Sequence, residues 1–231
     1  MKNIETAPKL LRPSEYTENQ LIAGILEGRY EAGGHLPSER ILSESLGVTR
    51  PTLRETLKRL SAEGWVTIKQ GKPTRVNNYL KEGGLGLLSS IIRHGNEVYQ
   101  EMILHFLETR IVLFPGVAAI AVTKKPAELL RFLEGSESLG DDAEAFAFFD
   151  WDLQLLMTEL TENPVFRMIV NDFTPLCQKL GNYYFDHPTA RDSSRSYYKE
   201  LKLSIKSGGD GTEAVVKRAM EVAMAFWKNS L

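Results

Sequence analysis

The chain has 231 residues, 42% hydrophobic and 25% charged, with a formal net charge of −2. That balance excludes a disordered or fibrous chain and leaves length for one large domain or two modest ones, each with a substantial core. The one cysteine, Cys177, excludes an intrachain disulfide; the opening MKNIETAPKLLRPSEY has no apolar h-region, and no apolar run approaches the ~18 residues of a membrane span. A soluble cytoplasmic protein with no membrane partner is expected.

Charge is distributed unevenly. Residues 1–80 carry 12 Lys and Arg against 9 Asp and Glu, a balance of +3, so the remainder carries 16 against 21, a balance of −5. A mildly basic N-terminal part on an acidic body fits a nucleic-acid-binding head.

Residues 1 to about 13 lack periodicity and suggest a loosely packed arm. A helix follows, opened by Ser14 or by Thr17 with Gln20 at capping-box spacing, with Leu21, Ile22, Ile25 and Leu26 on its buried face. Tyr30 to Pro37 is a turn; no GKS or GKT follows its glycines, so it is not a phosphate cradle. From Leu36 to Val76 the pattern is two short helices, a tight turn and a hairpin. Leu42 and Leu46 mark the first helix, opening near Ser38, and Gly47 turns the chain. Thr49 is placed to cap the second helix, Pro51 falls in its first turn, and Leu53, Leu57 and Leu60 form its core stripe. Arg50, Arg54 and Lys58 repeat at i, i+4 and i+8, about a quarter turn round from the leucines. Such a helix suits a DNA major groove, although an Arg/Lys stripe is also what a solvated face looks like. The β-prone runs Trp65–Ile68 and Thr74–Val76 flank the cationic tip Lys69 to Pro73 and predict a two-stranded wing.

Asn77 to Gly84 is the best domain boundary, which predicts a DNA-binding unit over 1–78, a linker over 79–84 and a second domain over 85–231. No strand is predicted beyond the linker. Helices are predicted near 85–93, 97–122, 126–138, 141–161, 164–185, 190–207 and 211–229, with Pro115 and Pro175 kinking or interrupting two of them. The fold class is therefore mainly α: an N-terminal winged helix-turn-helix and a C-terminal all-α antiparallel bundle of about seven helices.

Catalytic motifs are absent from the sequence: there is no nucleophile elbow, HExxH, Walker A or CxxC, and an enzyme is not expected. Asp141, Asp142, Asp150 and Asp152 could pair as carboxylates, but acids complementing a helix N-terminus explain them more simply. Phe146, Phe148, Phe149 and Trp151 fit core and pocket wall better than a cofactor box.

The residues LPSER-I-LSESLGVTR-PTLRE-TLKRL-SAEGWV resemble the N-terminal signature of GntR-family bacterial transcription regulators, and IKQGKPTRVNN is similar to the wing of their fatty-acid-responsive FadR branch. The resemblance spans about forty contiguous positions. It implies a homodimer on a palindromic double-stranded DNA operator, with contacts from Arg40, Thr49, Arg50, Thr52 and Arg54 and from Gln70, Gly71 and Lys72 in the wing. It also implies an all-helical ligand-binding domain. Many such domains hold a divalent metal on one Asp and three His. Here Asp150 matches the Asp, but Gln154, Tyr198 and Glu221 stand at the His positions, so neither metal nor other cofactor is expected. Further likeness at Phe106–Arg110, Thr161–Val165, Gly181–Phe185 and around Trp227 implies that Arg110, Tyr184 and Trp227 line a ligand cavity. A structural salt bridge and ordinary core aromatics would also account for these three.

The resemblance makes long-chain fatty acyl-CoA the expected effector, releasing the regulator from DNA. The last helix departs from the branch: Ala219, Met220, Val222 and Ala223 replace a polar, glycine-bearing segment. A different organic acid effector stays open, as does an architectural DNA-binding dimer with no ligand.

Overall fold

The structure, a computed structural model, describes residues 11–94 and 97–230. Most of the arm expected over 1–13, and the glycine break at Gly95, lie outside the described residues. The chain divides into two compact units, Met1–Val98 and Tyr99–Leu231.

In the first unit, helix α1 (Pro13–Leu26) starts one turn earlier than Thr17 would place it. Glu15 accepts the Arg12 N–H at 3.0 Å, whereas Thr17 is fully buried inside the helix and donates to the Pro13 carbonyl. A hydroxyl four residues on from a carbonyl can bond back along the helix as readily as it can cap one, which is why spacing alone offered Thr17 as a start. Helices α2 (Glu39–Leu46) and α3 (Arg50–Glu63) begin at the predicted caps: Ser38 accepts from Ile41 N–H and Thr49 from Thr52 N–H. Gly47 between them has φ +66°, a conformation that side chains with a Cβ resist. Leu53, Leu57 and Leu60 are buried against α1 and α2, each contributing about 1.5–3 kcal/mol of apolar burial.

The wing is shorter than its β-prone runs: β1 (Val66–Thr67) pairs antiparallel with β2 (Arg75–Val76), Val66 facing Val76. The other edge of β2 is taken by the connector, where Gly33 N–H donates to Val76, Leu36 N–H to Thr74 and Val76 N–H to Gly34. This third line of pairing was hidden in the sequence by Gly33 and Gly34. Residues 79–84 are not a plain linker, because α4 (Tyr79–Glu82) makes a helical turn there, capped by Asn78. Arg75 fixes that turn with two hydrogen bonds to the Glu82 carboxylate, both 2.9 Å, and these hold that carboxyl down at about 2. Helix α5 (Leu85–His94) packs on α1, and Ser90 ties it to the wing: Trp65 Nε1 donates to Ser90 Oγ at 3.2 Å, and Ser90 Oγ to Glu63.

The second unit contains α6 (Glu97–Lys124) from Tyr99 on, α7 (Pro126–Glu134) with a 3-10 turn over Gly135–Ser138, α8 (Ala143–Leu160), α9 (Pro164–Phe185), α10 (Pro188–Lys206) and α11 (Thr212–Ser230). No strand occurs here among the described residues. Both α6 and α9 run on through Pro115 and Pro175, so neither proline interrupts its helix. Helix α8 packs most extensively on α9, where Gly181 lets the backbones approach: a Cβ there would sit 3.3 Å from Ala147 Cβ. The stretch Gln100–Lys124 of α6 is long and apolar enough to cross a bilayer by length and composition, which the search for unbroken apolar runs missed. One side of it is core, with Ile103, Phe106, Leu107, Phe114, Val117, Ala118, Ala121 and Val122 buried, whereas Val112 and Ile120 are exposed.

Candidate functional site

The first unit presents a cationic helix face and a cationic wing tip. On α3, Arg50, Arg54 and Lys58 are exposed while Leu53, Leu57 and Leu60 on the adjoining side are buried. Their electrostatic settings differ. Arg54 Nε donates to Glu39 at 2.6 Å, and Arg40 on α2 pairs with Glu44 at 3.1 Å. Neither Arg50 nor Lys58 forms an ion pair among the described residues. The Thr49 and Thr52 hydroxyls lie 2.9 Å apart at the start of α3, beside Arg50. The wing tip turns through a Lys72 N–H to Lys69 carbonyl bond, with Gly71 at φ +71°, and Lys69, Gln70 and Lys72 are exposed. The same edge carries a shallow recess framed by His35, Thr67, Lys69, Lys72, Pro73 and Arg75, with no carboxylate in its wall. The DNA-contact residues expected from the sequence thus fall on α2, the start of α3 and the wing tip of this one unit.

The second unit holds a partly open cavity of about 60 Å³ among α6, α8, α9, α10 and α11. Arg110, Tyr184 and Trp227, expected together from the sequence, all line it. Of the four apolar substitutions in the last helix, Ala219, Met220 and Ala223 are in the wall, whereas Val222 is exposed and outside it. Arg110 lies between two phenylalanine rings, 5.9 Å from the centroid of Phe106 and 5.6 Å from that of Phe114, and donates to Gln154 Oε1 at 2.7 Å. Burial pushes the Tyr184 phenol up to about 12.

Asp150 sits on the same wall. Its carboxylate accepts from Tyr198 OH at 3.1 Å and from Gln154 Nε2 at 2.8 Å, while burial pushes its proton affinity up against the opposing pull of Arg110. Gln154 and Tyr198, two of the three positions at which the resemblance led a His to be expected, are therefore spent on hydrogen bonds to the aspartate. The third, Glu221, is exposed and 3.9 Å from Lys217. One carboxylate, an amide and a phenol raised by burial do not make a divalent transition-metal set, and no cluster of three His, Cys, Asp or Glu occurs among the described residues. The other acids have structural places. Asp142 caps α8 by accepting from Glu144 and Ala145 N–H, Asp141 pairs with the buried Arg191, and Asp152 is exposed.

Sequence reasoning missed Tyr197, which lines the cavity from α10, and took Trp151 only as a wall. Helical spacing could have shown that Tyr197 and Ser194 share a face three residues apart, both of them cavity-lining.

A helix-turn-helix with a paired wing and a cationic, solvent-facing second helix defines the winged-helix class of DNA-binding proteins. The comparisons make this more specific. Residues 13–76 match the bacterial regulatory proteins of the gntR family, and residues 77–231 match the FadR C-terminal domain. Fatty acid metabolism regulator proteins are similar over most of their length. That of Shewanella pealeana is 38% identical over 82% of this chain and 80% of its own, and that of Klebsiella pneumoniae 34% identical over 87% and 84%. The solved structure of Lar, described as controlling the Listeria monocytogenes agr system, has a TM-score of 0.61 at 16% identity, covering 96% of this chain and 99% of its own. That likeness concerns the fold alone. The chain belongs to the gntR family of bacterial transcription regulators, with a C-terminal domain of the FadR type.

Proposed function

We propose that the protein is a dimeric regulator of fatty acid metabolism genes that binds a palindromic operator and is released by a long-chain fatty acyl effector, most directly acyl-CoA. The observation that carries the DNA-binding half is the exposed Arg50, without an ion pair among the described residues, on a helix whose adjoining Leu53, Leu57 and Leu60 are buried. Arg50 and Arg54 read base edges, Arg40, Thr49 and Thr52 position α3 on phosphates, and Gln70, Gly71 and Lys72 enter from the wing. One such helix covers few base pairs, so two copies related by a two-fold axis supply the specificity. Action on DNA implies a cytoplasmic protein and gives it no need of enzymatic chemistry.

The effector half rests on the cavity and on the names of the similar proteins. Ligand pockets of drug-sized molecules hold about 300–1,000 Å³, so a cavity of about 60 Å³ admits an acyl chain only by moving its walls. That requirement supplies a mechanism, because a ligand shifts an equilibrium only through different contacts in the two states. Helix α5 is suited to transmit the shift. It is matched by the FadR C-terminal domain yet packs with the winged unit, through α1 and the Trp65–Ser90–Glu63 chain. It also precedes α6, which carries Arg110. Sedimentation of the protein with a duplex selected from a random pool tests the assembly. Two protomers per palindromic duplex are expected, and tight binding of a monomer to a single half-site overturns it.

A further inference from the structure

Helix α6 is apolar on two sides, and only one of them is core. On the other, Val112 is 82% exposed and Ile120 39%. Gly116 lies four positions from each, with nothing in the chain within 4 Å of where its Cβ would stand. Residues four apart form one ridge along a helix, so Val112, Gly116 and Ile120 stand in a row that is low in the middle and raised at both ends. The exposed Thr109 and Thr123 follow seven positions to either side of Gly116. Each turns its hydroxyl back onto its own helix, Thr109 to the His105 carbonyl and Thr123 to the Ala119 carbonyl, both at 2.9 Å, so neither hydroxyl needs an outside partner. Helix α9 extends the surface, since Pro164 and Phe166 share a shallow recess with Ile120.

The arrangement says what covers this strip. Eight positions to either side of Gly116 stand Glu108 and Lys124, exposed and opposite in charge. A two-fold axis requires a surface that complements itself, residue i meeting j while j meets i. A second α6 laid antiparallel across the first at Gly116 meets that condition throughout. Val112 then faces Ile120 of the partner subunit, Thr109 faces Thr123 of the partner subunit, and Glu108 faces Lys124 of the partner subunit. The glycine puts the lowest point of each ridge at the crossing, where two backbones come closest. Lys124 also pairs with Glu162 at 3.1 Å, and exposed pairs of this kind add little. The charges therefore fix direction and register, and the apolar row supplies the contact.

We propose that this face of α6 is a dimer interface within the second unit, in which two copies of the chain cross antiparallel at Gly116 with Val112 of each against Ile120 of the other. The inference rests on the reading of the protein as a dimer and names a surface for it. Dimerisation then needs no DNA.

The test is sedimentation of the full chain without DNA over a range of micromolar concentrations, with folding of each variant checked by circular dichroism. The parent is expected to sediment as a dimer. Val112→Lys and Ile120→Glu, both at exposed positions, should each weaken it about ten-fold or more, because each leaves a charge unpaired in the interface. Mixing the two variants, or combining both changes in one chain, should recover most of the affinity, since the new charges then meet across the crossing. Leu203→Lys, at a comparably exposed site on α10, should leave the dimer unchanged. A parent that is monomeric without DNA, single variants that dimerise like the parent, new charges that fail to rescue each other, or an equal loss from Leu203→Lys would each overturn the proposal. So would a monomeric parent that floats with phosphatidylcholine vesicles and loses that binding in Val112→Lys, which would make the strip a lipid-facing surface. Stoichiometry on a palindromic duplex separates the two claims. Two protomers per duplex, with Val112→Lys dimerising like the parent, removes this surface alone, whereas one protomer per duplex removes the dimer itself.

Discussion

Replacing the three cations of α3 one at a time gives a graded prediction, because their surroundings differ. Arg50 is exposed and has no carboxylate partner among the described residues, so Arg50→Ala loses the whole of a bidentate base contact, about 1–3 kcal/mol or roughly 5–150-fold in operator affinity. Arg54 lies 2.6 Å from Glu39, with side-chain exposures of 64% and 39%. A pair that exposed is worth about 0.2–1 kcal/mol, and DNA binding must loosen it. Arg54→Ala is therefore milder than Arg50→Ala by about that amount, and Glu39→Gln, which frees Arg54, strengthens operator binding by roughly 1.4–5-fold. Lys58→Ala removes a phosphate contact. Its loss is the same on operator and random duplex, and it lowers the slope of log affinity against log salt by about 0.9. Fluorescence anisotropy with a labelled operator and a scrambled duplex at several salt concentrations measures all four variants. Equal losses for all three cations on both duplexes, or no gain from Glu39→Gln, would refute the assignment of Arg50 and Arg54 as base readers.

Two further predictions concern stability, both read from denaturant or thermal unfolding. Gly83→Ala should cost about 1–3 kcal/mol, as overpacking does, because its Cβ would lie 2.3 Å from the Tyr79 carbonyl oxygen and 2.5 Å from Leu87 Cδ1. Gly84→Ala, with nothing within 4 Å of its Cβ, should stay within about 0.5 kcal/mol of the parent. Asp150→Asn should stabilise the protein at neutral pH. Burial holds this carboxyl protonated to higher pH in the folded chain than in the unfolded one, so the native state binds more protons and loses stability as pH rises above the ordinary carboxylate range. The gain from the amide should therefore vanish below about pH 4, where the unfolded aspartate is also protonated. A gain that does not depend on pH would contradict this.

The winged helix was legible because its signals are local. Ser38 and Thr49 cap, Gly47 turns and the Leu53, Leu57, Leu60 stripe buries, each as spacing dictates. The edge pairing of residues 33–36 with β2 was not legible, since glycines carry no β signal and the partner lies some forty residues away. Of the two caps the sequence offered for α1, Ser14 falls within two residues of the observed N-cap Arg12, whereas Thr17 is buried and bonds back to Pro13, which has the same sequence appearance as a cap. In the second unit, periodicity placed helices but could not show which faces meet. Arg110, Tyr184 and Trp227 came together through resemblance, whereas Tyr197 and the hydrogen bonds from Gln154 and Tyr198 to Asp150 depend on three-dimensional packing of α8 and α10. The same applies to α5, which sequence assigned wholly to the later helices and which packs on α1.

The most direct test of the regulator reading is a titration of long-chain acyl-CoA into a labelled operator complex, with free CoA as control. Coupling of the usual size, ~1–3 kcal/mol, predicts that operator affinity falls about 5–150-fold at saturating acyl-CoA and is unmoved by CoA. Operator affinity that stays constant across all chain lengths, while calorimetry shows that acyl-CoA binds or fails to bind, would contradict the account.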